Sequence, residues 1–328
     1  MDLSKMGVKA EGKYFRLVES EEELEEVMHY LEQFLPESIK FHQTIRTYLN
    51  DRIWDFYFYV TKDWPETPIC LHFPGCTLTP NDNIYESFGI FCPTKNIECV
   101  DMLKDEDVLF DWSKPICLNF THMAIMNQLE PFNIGISSNE GIEGDIYVYN
   151  KLSEDLQLEE LSSDDVEMRE LTTDDVKVIH DLYPANEIEC VDLFKILVER
   201  LPGVGIYKKD TGEIVAWMVH SYYGAMFSMQ TKPEFRRKGY GIHLARSLTK
   251  KVIERGYRPF VVIRPKNEAS RNLYTKLGFE RAFEIKRTSF QPKASDNSID
   301  NVQSAVAGIS LGDSNNADIA DDQTPENS

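Results

Sequence analysis

The sequence predicts an α/β protein: two tandem domains, each a mixed sheet carrying helices, followed by a disordered acidic tail. Three observations predict it. The chain has 328 residues, 42% of them hydrophobic and 11% aromatic, which is enough for two ordinary domains with cores. Its second half alternates β-prone runs with helical apolar spacing in the order β-α-α-β-β-β-α-β-α. Its composition also breaks twice: residues 153–175 hold ten acids and one Arg, and Pro292 to Ser328 hold one Lys against seven acids with no aromatic residue. A segment of the second kind cannot bury enough to offset its ordering entropy. The expected divisions are therefore 1–152, an acidic linker 153–165, a second domain 166–290 and the tail 291–328.

In the first half, Leu24, Val27, Met28 and Leu31 recur at helical spacing, and Pro36 stops that helix. Ile39, Thr44, Ile45 and Leu49 suggest another. "WDFYFYV" (54–60), "PICLHF" (68–73), "KPICLNF" (114–120) and "GDIYVYN" (144–150) read as strands. In the second half "VEMREL" is a strand, and Thr172 or Thr173 caps the helix that follows. Val191, Phe194, Leu197, Val198 and Leu201 mark the inner face of the next helix. Three strands then follow in meander order, with the Asp210-Thr-Gly-Glu213 turn between the first two. "GYGIHLARSLTKKVIERG" is a long helix closed by Gly256, "FVVIR" a buried strand, and "NEASRNLYTKLGF" a short helix ending at Gly278.

A formal net charge of -20 disfavours nucleic acid and anionic membrane as partners, because both demand excess cations. No apolar run is long enough for a membrane span, and "MDLSKMGVKAEGKYF" has neither a secretory h-region nor the Arg-rich pattern of a transit peptide. The expectation is a cytoplasmic protein. Its six cysteines form no C-x-x-C pair and none has a His at ligand spacing, so reduced thiols and no metal are expected. His29, His42, His72 and His122 are scattered and read as structural or surface residues.

Against this acidity, fifteen Lys and Arg stand against five Glu between Glu234 and Arg287. Arg236, Arg237 and Lys238 run directly into Gly239-Tyr240-Gly241, where a strand feeds the long helix. The first amides of a helix lack intrahelical partners and lie at the positive end of its dipole, and glycine lets a ligand approach the backbone. Such a turn can hold a pyrophosphate. A third glycine for G-x-G-x-x-G is missing, and G-x-x-x-x-G-K-[ST] is absent. Taken alone, the six residues fit a basic surface turn equally well.

The strand, the [QR]-x-x-G-x-[GA] turn, the long helix, the next strand and "N-x-x-[AS]-x-x-x-Y" together resemble the acyl-CoA-binding core of the GNAT acyltransferase superfamily over residues 166–287. The resemblance implies acetyl-CoA or another acyl-CoA as co-substrate. Its pyrophosphate would lie on the amides of Arg237 to Gly241, with Arg236 at the first motif position. Met229, Gln230 and Thr231 would pair with the pantetheine arm, Asn267 would contact it, and Tyr274 would protonate the departing thiolate. Across the longer chain, "FLPESIKFHQTIRTYLNDR", "WPETPIC" and "TKPEFRRKGYG" resemble the glycine N-acyltransferase-like family. That family joins an N-terminal GNAT-like domain without the CoA motif to a C-terminal GNAT domain, and it leaves a mitochondrial location as an alternative.

The narrower resemblance implies transfer of an acyl group to the amine of glycine or a similar small amino acid. The match breaks at the family's general-base Glu, whose position is Ala225. His220 is the candidate substitute, with Tyr222 and Tyr223 nearby, and Arg264 is a candidate anchor for the acceptor's carboxylate. His243, in the first turn of the long helix, reads as part of the CoA surroundings. Three readings follow: a small-molecule N-acyltransferase, a protein or peptide N-acetyltransferase, and a non-catalytic acyl-CoA-binding protein. Oligomeric state is not readable from the sequence.

Overall fold

The computed structural model describes residues 9–73, 76–78, 84–112, 116–129, 141–151, 156, 161, 163–184, 186 and 190–290. The expected linker falls largely outside the described residues and the expected tail wholly outside them. From the N-terminus the elements are β1 (Phe15–Leu17), α1 (Glu21–Leu31), α2 (Ile39–Asp51), β2 (Tyr57–Thr61), β3 (Cys70–Phe73), β4 (Cys76–Leu78) and β5 (Ile84–Phe91). A 3-10 segment Thr94–Asp105 leads to β6 (Ile116–His122), α3 (Met123–Leu129) and β7 (Ile142–Tyr149). The second half continues with β8 (Val166–Glu170), α4 (Val176–Asp181), α5 (Val191–Arg200), β9 (Gly203–Lys208), β10 (Ile214–His220) and β11 (Met226–Thr231). It ends with α6 (Tyr240–Glu254), β12 (Phe260–Ile263), α7 (Glu268–Lys276) and β13 (Phe279–Phe290).

The β-α-α-β-β-β-α-β-α order expected for the second half is observed from β8 to α7, and one further strand that the sequence does not predict, β13, follows it. Its first helix starts on a reciprocal cap, in which the Thr172 amide donates to Asp175 Oδ2 at 2.8 Å. Val191 departs from expectation. It opens α5 at 44% exposure, while the apolar face that packs inward is Leu193, Phe194, Leu197 and Val198. Cys70, Cys92 and Cys117 are free and buried, and Cys99 and Cys190 are free and half-buried. Among the histidines, His42 and His72 lie in the interior.

Two sheets result. Strands β11-β10-β9-β8 form an antiparallel four-stranded sheet. The larger sheet runs β1-β2-β3-β5-β6-β13-β7-β12, with β4 added beside β5. It crosses the expected domain division: β7 from the first half lies antiparallel between β12 and β13, and β13 continues onto β6. The halves therefore share backbone hydrogen bonds and do not merely touch.

Helix α2 completes the junction. Ile39 packs with Ile146, Val148, Tyr223, Ala225, Phe260 and Ile285 in a buried cluster drawn from both halves. Each large apolar side chain so buried contributes about 1.5–3 kcal/mol. The Arg255–Asp51 ion pair at 2.6 Å is partly exposed and contributes at most about 1 kcal/mol, so the apolar cluster dominates. Gly224, at φ +86°, sits so close to α2 that a Cβ there would lie 2.3 Å from Gln43 Cβ. The same Gln43 accepts from the Arg258 amide at 3.0 Å. These contacts fix the first half against the β10–β11 turn.

Candidate active site

The two sheets present edges to one another at β11 and β12, which lie side by side without backbone pairing. Within β11 the register slips opposite Met218, and Ser228 takes a left-handed φ of +52°. The extra residue bends the strand at that point. Ser228 Oγ is buried and has no hydrogen-bond partner. Strained backbone with an unpaired polar atom, at the mouth of an unzipped cleft, is a mark of a functional site.

One end of the cleft is the turn before α6. Arg236, Arg237, Lys238 and Gly239 are exposed. Arg237 has φ +62° and Gly239 +75°, and a Cβ built on Gly239 would meet nothing within 4 Å. Among the described residues no hydrogen bond is recorded from the amides of residues 237–241. The start of α6, the positive end of its dipole and three exposed cations lie together at one surface, which suits a diphosphate. The turn adjoins the cleft wall: a Cβ on Gly241 would sit 3.4 Å from Leu273 and 3.7 Å from Met229 Sδ.

Deeper in the cleft, Tyr274 on α7 is 3% exposed, with its hydroxyl 3.7 Å from Met218 Sδ and 3.9 Å from Met229 Sδ. Burial raises its phenol pKa, so at neutral pH the proton stays on oxygen. Met229, Gly241 and Tyr274 are thus brought together. Asn267 caps α7, its Oδ1 accepting from the Ser270 amide at 3.0 Å, which leaves the side-chain NH₂ for a ligand. Gln230 Nε2 donates to the Leu182 carbonyl at 2.6 Å and braces the segment after α4 over the cleft. Thr231 ends β11, paired with Ala216. Tyr240 is buried in the first turn of α6, beside His243.

His220 is not brought to this wall. It is fully buried at the far end of β10, its Nε2 2.9 Å from the Gly224 carbonyl and its ring 5.1 Å from Tyr257. Burial lowers its pKa to about 4, so the neutral ring donates from Nε2 and holds the Ser221–Gly224 turn. The expectation that it replaces the missing base is corrected accordingly. Ala225 is equally enclosed, in the cluster around Ile39, which leaves no room for a carboxylate at that position.

On the opposite face of β11 from Met229 lies a narrow cleft, whose atom-free space of about 280 Å³ includes open solvent. Phe194, Tyr183 and Phe227 wall one side, Tyr222, Tyr223 and Phe120 the other, and Arg287 supplies the cation. Arg264, the anchor suggested by the sequence, is exposed beyond β12 and is not among the lining residues. Arg287 was missed because it stands on β13, a strand the sequence reading did not anticipate. Among the described residues no group of three or more His, Cys, Asp or Glu could hold a metal ion. No described helix is long and apolar enough to cross a membrane.

Comparison with known proteins bears on the fold. Residues 203–288 match the family model described as FR47-like protein. No curated protein matches the sequence. An X-ray structure of a Drosophila protein from a structural-genomics consortium superposes with a TM-score of 0.70 at 18% identity, over 86% of this chain and 99% of that one. A tandem GNAT protein from the clavulanic acid biosynthesis pathway superposes at 0.50 with 9% identity, again over 86% and 99%. At such identities the likeness bears on the fold. The fold is therefore a mixed α/β one of the GNAT type, and along its length it superposes on a tandem arrangement of that fold.

Proposed function

We propose that the protein is an acyl-CoA-dependent N-acyltransferase whose acceptor is a small amine bearing a carboxylate, glycine or a similar amino acid. The observation that carries this reading is the open start of α6 at residues 237–241 beside the unpaired β11 and β12 edges. The diphosphate rests on those amides with Arg236, Arg237 and Lys238 around it, and the pantetheine arm runs along Met229 to Thr231 with Asn267 at its side. Tyr274, kept protonated by burial, gives its proton to the thiolate as the C–S bond breaks.

The acceptor enters the aromatic cavity on the other face of β11 and sets its carboxylate on Arg287. Enclosure of that cavity between α5 and strands of both halves supports a small acceptor over a peptide, which would need an open groove. With no base at Ala225 and His220 buried, the amine attacks in its neutral form, its ammonium proton already lost to water. The proton that the nitrogen sheds as the amide forms also passes to water, and Tyr274, having protonated the thiolate, regains its proton from solvent. The reading is tested by thiol release from a panel of acyl-CoA esters offered free amino acids or peptides. Turnover with amino acids, rising with pH until the acceptor amine is fully neutral, is the expected result. Tight acyl-CoA binding without turnover on any amine would favour a non-catalytic acyl-CoA-binding protein.

A further inference from the structure

The first half contains its own splayed strand pair. Strands β5 and β6 are parallel and hydrogen-bonded only from Glu86 to Phe88 and Ile116 to Leu118. Beyond that point no further pairing joins them, and Ile90, Phe91 and Cys92 on one strand end and Phe120 and His122 on the other line an opening. The opening holds about 410 Å³ of atom-free space, part of it open to solvent. Phe41, Ile90, Ile125 and Phe283 give it an apolar lining, and Glu37, Lys40, His72 and His122 give it polar groups.

The polar groups are unevenly satisfied. Both oxygens of Glu37 are engaged by Thr94, the amide at 3.1 Å and the hydroxyl at 2.9 Å. Lys40 donates to the Asn119 carbonyl and faces the Tyr223 ring at 5.9 Å. Among the described residues no carboxylate lies within ion-pair distance of it, and its nearest influential charge is Arg287, another cation. Desolvation, reinforced by Arg287, lowers its pKa to about 7. His72 is 2% exposed, and among the described residues neither of its ring nitrogens has a hydrogen-bond partner. His122 accepts from the Ala124 amide through Nδ1 at 3.0 Å, which leaves Nε2 as an N–H donor. A lysine without a counter-ion and donors without acceptors share one apolar cavity, so what is missing is an anion.

We infer that this opening is a second ligand site, taking a small carboxylic acid with an apolar body, its carboxylate on Lys40 with His72 and His122 as further donors. It cannot take a CoA ester as the second half is arranged to do. The amide where the helical segment after β5 starts is already occupied by Glu37, and no cluster of cations precedes it. Charge complementarity selects the carboxylate, and the aromatic and aliphatic lining selects an aryl or branched body over acetate.

The probe is sodium benzoate, titrated calorimetrically into the full chain, with neutral benzamide as its isostere. Benzoate should bind and benzamide bind at least about tenfold more weakly, because the charge-assisted bond is lost. Lys40→Met should weaken benzoate at least about tenfold while leaving acetyl-CoA affinity unaltered. Benzoate should also shift the NMR methyl signals of Ile90 and Ile125 in the wild-type protein, a readout that does not depend on any variant folding. Absence of binding, unchanged methyl signals, or equal affinity in Lys40→Met overturns the assignment. So does loss of benzoate binding in Gly239→Asp, which would place the probe in the second half. Because acetyl-CoA binding is measured beside it, failure here is distinguishable from failure of the acyltransfer reading.

Discussion

The two halves carry the same strand-helix-strand unit in opposite states. In the second half β11 and β12 stay unpaired, and the helix between them starts on exposed amides, glycine and cations. In the first half β5 and β6 are zipped over three residue pairs, and the segment between them starts at Pro93-Thr94, with Glu37 seated on the Thr94 amide. A carboxylate from the chain itself sits where the other half leaves room for a phosphate. The N-terminal α3, which follows β6 as α7 follows β12, has no phenol among Met123 to Leu129. The difference teaches that one fold can present two different helix starts. An open helix start, an unpaired strand edge and a buried phenol stand together in the second half, and these are the three features on which the proposed donor site depends.

The sharpest way to break the comparison is Tyr274→Phe. Removing the acid should lower kcat by about 10²–10⁴-fold with acetyl-CoA affinity kept, since the ring still packs against Phe279 at 5.1 Å. Steady-state kinetics beside calorimetry separate the two effects. If kcat holds, the phenol is part of the core and nothing more.

Gly239→Asp grafts the first half's feature onto the second, placing a carboxylate at the anion seat. There is room for the side chain, so the loss comes from charge and from the left-handed φ, not from a clash. Acetyl-CoA affinity should fall by about 10²-fold, equivalent to about 2.7 kcal/mol. The reciprocal change, Glu37→Ala, strips the Thr94 amide and hydroxyl of their acceptor. It should cost about 1–3 kcal/mol of stability, read as a lower Tm, without improving acetyl-CoA affinity. A gain of affinity there would mean that the first half is a blocked donor site and no more than that.

How much of this was legible in the sequence follows from where each signal is local. The start of the long helix at Gly239-Tyr240, the cap at Thr172 and the helix end at Gly256 are spelled out within a few residues, and all three are observed as local structure. Strand β13 is different. "FERAFEIKRTSF" scatters Glu280, Arg281, Glu284, Lys286 and Arg287 along an element that β7 and β6 pin from both sides. Its register is a tertiary fact, which is why the sequence points to Arg264 and not to Arg287 as a candidate anchor. Pairing of β7 with strands of the other half is equally non-local. His220 was read from its nearness in sequence to Ala225, whereas its burial depends on Tyr257 and the Gly224 turn.

The smallest expected effect concerns that histidine. Buried His220 holds its pKa near 4, against about 6.5 for an ordinary imidazole. Between those values the unfolded chain binds a proton that the folded chain refuses, so stability is complete above pH 6.5 and falls as pH drops toward 4. At pH 5.5 the loss from one such group is about 1 kcal/mol. His42, lowered to about 4, and His72, lowered well below its ordinary value by burial, add their own shares from the first half. His220→Gln should therefore make the decline of Tm between pH 6.5 and 4 shallower without abolishing it. It should leave the pH profile of kcat/KM in shape, because a ring that donates to Gly224 and sees no solvent has no part in taking the amine's proton. If instead the acidic limb of that profile disappears in the variant, His220 reaches the substrate after all, and the turn must open during turnover to let it.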